Sequence, residues 1–257
     1  MSNITYEAWI KHVFDHPVPV VDEATEKAHY AKMQELGLKI ANGEVSYEEV
    51  ADQMQSPSWV AWYFDIDAPY LQPEPNTLVA YLKRAFTEID TIAQSYSDAQ
   101  MNQGINYVIN NACSDFIFCL VDDSVPLSQR LKAVEAMANV YEKLYAVKCS
   151  NQPLPDYSPD ANPLDHTCYM WWDIIPFYGK SGNVSYEQLD QSILQVMQRT
   201  LQLDNYLCQR GALHGLGHWK HAYPEQVEAI IDAFLERDNL HEATIQYAKV
   251  ARTGYIL

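Results

Sequence analysis

The chain has 257 residues, of which 48 % are hydrophobic, and carries a formal net charge of −17. A chain of this length and hydrophobicity can bury a core, which excludes an intrinsically disordered protein. The negative charge disfavours nucleic acids and anionic lipid surfaces as partners, because their phosphates would be repelled. A basic protein or a cation is favoured as a partner instead, although an acidic surface also serves solubility.

The cysteines indicate a reducing compartment. Their number is odd and they are widely scattered, unlike a disulfide framework: Cys113, Cys119, Cys149, Cys168 and Cys208. The first residues lack the basic and then apolar order of a signal peptide, and no apolar run approaches the ~20 residues of a membrane span. We therefore predict a cytoplasmic protein.

Helix signals recur along the chain, whereas β-hairpin signals are nearly absent. Capping boxes at 46–49 and 185–188, and prolines at 57 and 224, each indicate a helix start. The predicted helices lie near 21–42, 76–95, 98–121, 126–147, 185–202, 204–221, 224–237 and 239–252. Their short connections favour antiparallel neighbours. The sequence thus predicts an all-α protein of stacked antiparallel helix pairs, either an α-solenoid or a multi-helical bundle.

Two proline-containing breaks organise the chain into regions. Residues 69–75 separate an N-terminal helical region, 1–68, from a central one, 69–149. Residues 150–163 contain four prolines and open a third region, 150–183, ahead of a final helical region, 184–257.

The segment 168–178 is the most aromatic of the chain, and it is either a buried core helix or an exposed binding surface. A core helix is favoured. If the aromatic side chains are exposed instead, Trp171 and Trp172, together with Trp219, are the candidate partner-binding residues.

The C-terminal segments 205–219 and 224–235 contain the pattern Ala212-Leu213-His214-Gly215-Leu216-Gly217. This pattern resembles the HEAT-like, or armadillo-like, repeat family, and the resemblance is clearest over 186–252. It implies an α-solenoid and a non-catalytic role in holding another macromolecule. Independently of the family, Gly211, Ala212 and Gly215 are small enough to let a neighbouring helix approach closely. No clear repeat period extends across the first 180 residues.

Three histidines, His214, His218 and His221, follow one another at spacings of four and three residues, so they share one stripe of a helix. Such a stripe can bind zinc, iron or copper. Further ligands are available after the proline-rich segment: His166, Cys168, and Asp165 or Asp173. The alternatives are that the imidazoles form hydrogen bonds at the rim of the core or line a partner-binding face.

These observations lead to three functional hypotheses. The sequence lacks a phosphate-binding loop, a nucleophile elbow and a Cys-x-x-Cys pair, so we assign no catalytic residue and expect neither enzymatic activity nor a cofactor. The favoured function is that of a non-catalytic helical-repeat scaffold or adaptor that binds another protein. The first alternative is a metal-binding protein or metal-dependent enzyme with zinc or iron at His214, His218 and His221. The second is an acidic, immunity-type inhibitor of a basic protein.

Overall fold

In this computed structural model the described residues are 4–18, 23–54, 61–65, 67–154, 158 and 161–256. The chain divides into two units, one of His16–Tyr70 and one of Met1–Asp15 with Leu71–Leu257. The described residues contain helices and no strand, which confirms the predicted all-α class. None of the described helices has the length and hydropathy needed to cross a membrane.

The smaller unit contains α2 (Glu23–Ala41), α3 (Tyr47–Met54) and a short 3-10 helix, Trp62–Phe64. Helix α3 begins with the predicted capping box. The backbone N–H of Ser46 donates to Glu49 Oε2 over 2.8 Å, and the backbone N–H of Glu49 donates to Ser46 Oγ over 3.3 Å. Both donors would otherwise lack an intrahelical acceptor. The other predicted start in this unit, at Pro57, lies outside the described residues.

The larger unit contains the remaining helices. They are α1 (Tyr6–Phe14), α4 (Pro75–Thr87), α5 (Ile89–Ile92), α6 (Asp98–Ile109), α7 (Leu127–Val140), α8 (Ala146–Lys148), α9 (Asp165–Ile174), α10 (Val184–Thr200), α11 (Tyr206–Trp219), α12 (Pro224–Leu235) and α13 (Glu242–Thr253). A π-helical turn, Tyr141–Tyr145, joins α7 to α8, and a 3-10 helix, Phe116–Val121, precedes α7.

Most predicted helices occur, but several boundaries differ. The helix predicted over 98–121 ends at Ile109, because Asn110 is extended, and continues only as the 3-10 helix. Helix α10 begins at Val184, one residue before the predicted start, and the side chain of Ser185, with the capping box predicted there, lies outside what the structure describes. Helix α12 begins at Pro224 as predicted.

Two series of neighbouring helices make up much of the larger unit. In one series α7 lies between α4 and α10, and in the other α6, α9, α11 and α13 follow one another as neighbours. Contacts between α9 and α11 run from Cys168 with Cys208 to Asp173 with His218, so these two helices point in the same direction. Helix α13 is parallel to them, because its contacts with α11 run from His241 with Tyr206 to Tyr247 with His214. The packed helix pairs agree with the predicted all-α class, whereas antiparallel, solenoid-like stacking stays a prediction.

Two glycines allow α9 and α11 to approach closely, as their small size predicted. A Cβ atom at Gly211 would lie 2.5 Å from the carbonyl oxygen of Cys168, and one at Gly215 would lie 2.5 Å from the indole ring of Trp172. Neither position has room for a side chain. This contact fixes the relative position of the two helices that carry the site described below.

The three tryptophans considered for partner binding are part of the core. Trp171 and Trp219 are fully buried, and Trp172 is 1 % exposed. The partner-binding role considered for these residues is therefore corrected, because the protein core covers almost the whole surface of the three indole rings. The favoured prediction for segment 168–178, a core helix, holds for its first seven residues, which belong to α9.

The four regions expected from the sequence do not correspond to four units. Helix α1 packs on α6, and Trp9 is buried beside Phe116, with the two ring centroids 5.9 Å apart. The first fifteen residues therefore belong with the larger unit. Aromatic contacts between residues distant in sequence produce this grouping, which proline-containing breaks alone do not indicate.

Candidate metal centre

Helix α11 carries two histidines one turn apart on one face. It begins after Asn205, whose side chain accepts a hydrogen bond from the backbone N–H of Cys208 over 3.0 Å and so caps the first turn. His214 and His218 then project from the same side of the helix, and their Nε2 atoms are 3.2 Å apart.

Helix α9 supplies a carboxylate to both histidines. Oδ2 of Asp173 is 2.7 Å from Nε2 of His214, and Oδ1 is 2.6 Å from Nε2 of His218. Among the described residues, only Asp173, His214 and His218 bring three potential metal ligands within 4.8 Å of one another. The parallel packing of α9 and α11 thus creates a two-histidine, one-carboxylate cluster.

The cluster lies at the boundary between core and solvent. The His214 side chain is 1 % exposed, whereas 27 % of Asp173 and 36 % of His218 remain exposed. One histidine is therefore held rigidly by its surroundings, while the other two groups face solvent. An ion can reach the cluster without passing through the core.

The separations are close to those of a coordination sphere. With metal–ligand bonds of about 2.1 Å, the ligand atoms of a tetrahedral site lie about 3.4 Å apart, and adjacent ligands of an octahedral site about 3.0 Å apart. The two imidazole nitrogens already have such a spacing. The carboxylate oxygens lie closer to them, at hydrogen-bonding distances of 2.6 and 2.7 Å, and would move outward by about 0.3 to 0.8 Å to admit an ion.

The protonation state of the cluster suits a cation. Burial lowers the pKa of His218, and the neighbouring His214 and His221 lower it further, although Asp173 opposes this effect. His218 is therefore more readily neutral than a free histidine, and a neutral imidazole is the form that binds metal.

Two tyrosines contact the buried histidine on the side away from Asp173. The hydroxyl of Tyr247, from α13, is 2.5 Å from Nδ1 of His214, and the hydroxyl of Tyr169, from α9, is 3.3 Å from the same atom. The two hydroxyls are 3.0 Å apart. When Nε2 binds a metal, Nδ1 carries the proton and donates it to such an acceptor, which orients the ring. Neither tyrosine belongs to the histidine pattern, so the sequence alone does not predict them as part of the site.

The remaining predicted ligands lie outside the cluster. His221 follows the end of α11 at Trp219, is exposed, and its Nδ1 lies 2.7 Å from the backbone oxygen of His218. Its assignment as a ligand is corrected, because the helical spacing that placed it on the stripe no longer applies there. His166 is exposed near the start of α9, two turns before Asp173.

Asp165 and Cys168 also have other roles. The carboxylate of Asp165 accepts hydrogen bonds from the backbone N–H groups of Ser150 and Asn162. Cys168 is fully buried, and its sulfur lies 3.9 Å from that of Cys208. Of the further ligands considered from the sequence, the structure brings only Asp173 to the histidines.

Comparison of the chain with protein-family models, curated proteins and solved structures finds no match. The resemblance to HEAT-like repeats therefore stays a prediction, and the functional argument depends on the geometry of the chain's own residues.

Proposed function

We propose that this protein binds a divalent metal ion, zinc or iron(II), through Asp173, His214 and His218. The observation that carries the proposal is the convergence of one carboxylate oxygen and two imidazole nitrogens from two closely packed helices. Two histidines and one carboxylate form a ligand set that proteins use for catalytic zinc and for non-haem iron(II).

Three further features favour a cation at this position. The chain carries a net charge of −17, so its average field attracts cations. The lowered pKa of His218 favours its neutral form, and the hydroxyl of Tyr247 contacts Nδ1 of His214, where it can orient the ring. Three protein ligands leave at least one coordination position for water or another ligand, so the centre has the composition of a reactive site as well as of a structural one.

Elemental analysis of the untagged protein, after incubation with zinc or with iron(II) under anaerobic conditions and removal of free ion, tests the proposal. We expect about one metal ion per chain, as three converging ligands predict. The variant with both His214→Ala and His218→Ala is expected to retain none. The variant His221→Ala is the matched control, because it removes an exposed histidine close to the site but outside the cluster.

The proposal fails if the wild-type protein holds no zinc or iron after reconstitution. It also fails if the double variant keeps as much metal as the control while its helical content is unchanged, because the metal would then be bound elsewhere.

The other hypotheses from the sequence stay predictions. The scaffold function loses its candidate surface, since Trp171, Trp172 and Trp219 are buried. The inhibitor function depends only on net charge. Neither is favoured by a specific contact in the part of the chain that the structure describes, whereas metal binding is.

A further inference from the structure

Arg210 lies on α11 one turn before His214 and two turns before His218, on the same face of the helix. Its guanidinium carbon is 4.6 Å from the ring centroid of Tyr247 and 5.1 Å from that of Tyr169. These are the two tyrosines whose hydroxyl groups contact His214. The guanidinium group is therefore connected to the metal cluster through two shared aromatic residues.

The position of Arg210 is fixed, but its charge is not neutralised. One terminal nitrogen donates to the hydroxyl of Tyr206 over 2.9 Å, and the side chain is only partly buried. Within the described ranges, no carboxylate forms an ion pair with it, although acidic residues outnumber basic ones by 34 to 17. Other arginines of this unit, such as Arg199 and Arg252, do pair with carboxylates. An oriented, unpaired guanidinium in so acidic a chain calls for an anion from outside it.

With a divalent ion bound, the cluster and Arg210 would form a positive region. The dication, the carboxylate of Asp173 and the guanidinium of Arg210 would leave a local charge of about +2, against the negative average field of the chain. An anion would be repelled by the rest of the surface and attracted to this region.

We propose that Arg210 is the second anchor of the metal site, and that it binds the oxyanion, a carboxylate or a phosphate, of a small ligand whose other end coordinates the metal. This inference rests on the proposed metal site. A helix rises 1.5 Å per residue, so the metal lies roughly 6 to 12 Å from Arg210 along the axis of α11. The ligand class is therefore an elongated molecule with an oxyanion at one end and a metal-binding group at the other.

Calorimetric titration of the zinc-loaded protein with unbranched dicarboxylates of increasing length, from succinate to sebacate, tests the inference. Each diacid is compared with the monocarboxylate of the same chain length. We expect one range of lengths to bind at least about tenfold more tightly than its monocarboxylate, because the second oxyanion gains a charge-assisted hydrogen bond only when it reaches the guanidinium. The phosphonate analogue of the best diacid shows whether carboxylate or phosphate is preferred.

The variant Arg210→Gln removes the charge, and we expect it to lose the preference for the diacid while it keeps one zinc ion per chain. Arg199→Gln is the matched control, because it removes an equal charge from α10, where Arg199 pairs with Glu142 away from the metal cluster. Arg210→Lys retains the charge without the planar fork and is expected to lose part of the preference. If Arg210→Gln does not fold, the diacid preference of Arg210→Lys is the test instead.

Two results overturn the inference and leave metal binding intact: no diacid binds zinc-loaded protein more tightly than its monocarboxylate, or the preference is unchanged in the folded Arg210 variants. Absence of zinc from the wild-type protein overturns both the proposed function and the inference. A preference that falls equally in Arg199→Gln also contradicts the inference, because net charge alone would then explain it.

Discussion

Helices α9 and α11 carry two groups of residues of metal-ligating types, and in the part of the chain that the structure describes only one group brings three ligand atoms together. The first is the partly exposed set Asp173, His214 and His218. The second consists of buried thiols: Cys168 of α9, which contacts Cys208 of α11 and Cys149, the residue that follows α8.

The two clusters differ in their ability to present unprotonated ligands. Burial raises the pKa of the Cys168 thiol well above its usual value, whereas burial lowers the pKa of His218. The same desolvation therefore keeps a thiol protonated and an imidazole neutral. Metals bind the thiolate and the neutral imidazole, so burial suppresses one site and favours the other. Ligand type alone does not define a metal site.

The largest effect is expected where α9 and α11 touch. In Gly211→Ala the new methyl group meets the carbonyl oxygen of Cys168, which is backbone and cannot rotate away. We expect a loss of about 3 kcal/mol in the free energy of unfolding, measured by urea denaturation, and weaker metal binding because both helices shift. Gly37→Ala is the control, since no atom lies within 4 Å of the position where its Cβ would stand. Equal stability of the two variants would show that the close approach is not required.

A change within the thiol cluster separates stability from metal binding. Cys168→Ser places a hydroxyl among buried sulfurs and aromatic rings, so we expect a loss of about 2 kcal/mol in unfolding free energy and no loss of metal. Cys113→Ser, at a partly exposed position, is the control. Loss of zinc from folded Cys168→Ser would mean that the thiols bind the ion, and the comparison of the two clusters would have to be reversed.

A change beside the metal cluster should have the opposite effect: weaker metal binding with little change in stability. Tyr247→Phe removes the hydroxyl that contacts Nδ1 of His214, and we expect about tenfold weaker zinc binding in competition with a chelator. Tyr255→Phe is the control, because that side chain is 86 % exposed. An unchanged affinity would restrict Tyr247 to a packing role.

The smallest effect is expected in the pH dependence of the stability that Cys168 contributes. Since the folded-state pKa of Cys168 is raised above the ordinary value of 9.0, its contribution to stability is present below that pH and is lost as the pH rises. The stability of the wild type relative to Cys168→Ala should therefore fall by about 0.8 kcal/mol between neutral pH and about pH 9.5. A constant difference, measured by denaturation at each pH, would indicate that the thiol ionises equally in both states.

Helical periodicity was sufficient to place His214 and His218 together, because residues four apart share a face wherever the helix continues. Periodicity does not predict the position of His221, because α11 ends at Trp219 and the end of the helix depends on tertiary contacts. Asp173 was one of several possible oxygen donors. Asp173 reaches the histidines because α9 and α11 pack closely and in parallel. The glycines at 211 and 215 predict that a helix approaches α11 closely, but they do not predict the direction of that helix.

The contribution of Tyr247 could not be predicted, because a residue thirty-three positions from His214 reaches it only through the packing of α13. The same reason applies to the tryptophans. A run of aromatic residues indicates either a core helix or an exposed binding surface. The segment is buried here because Trp172 fills the space beside Gly215. The presence of a helix can thus be predicted from the local sequence, whereas the burial of its side chains and the composition of the site depend on tertiary packing.

The parallel direction of α9 and α11 has an electrostatic consequence. The peptide dipoles of a helix leave a partial negative charge at its C-terminal end, and these charges add when helices point the same way. Asp173 is the second-last residue of α9 and His218 the second-last of α11, so the cluster lies where two such ends meet. The backbone itself therefore attracts a cation to this position, an attraction that an antiparallel pair of helices would largely cancel.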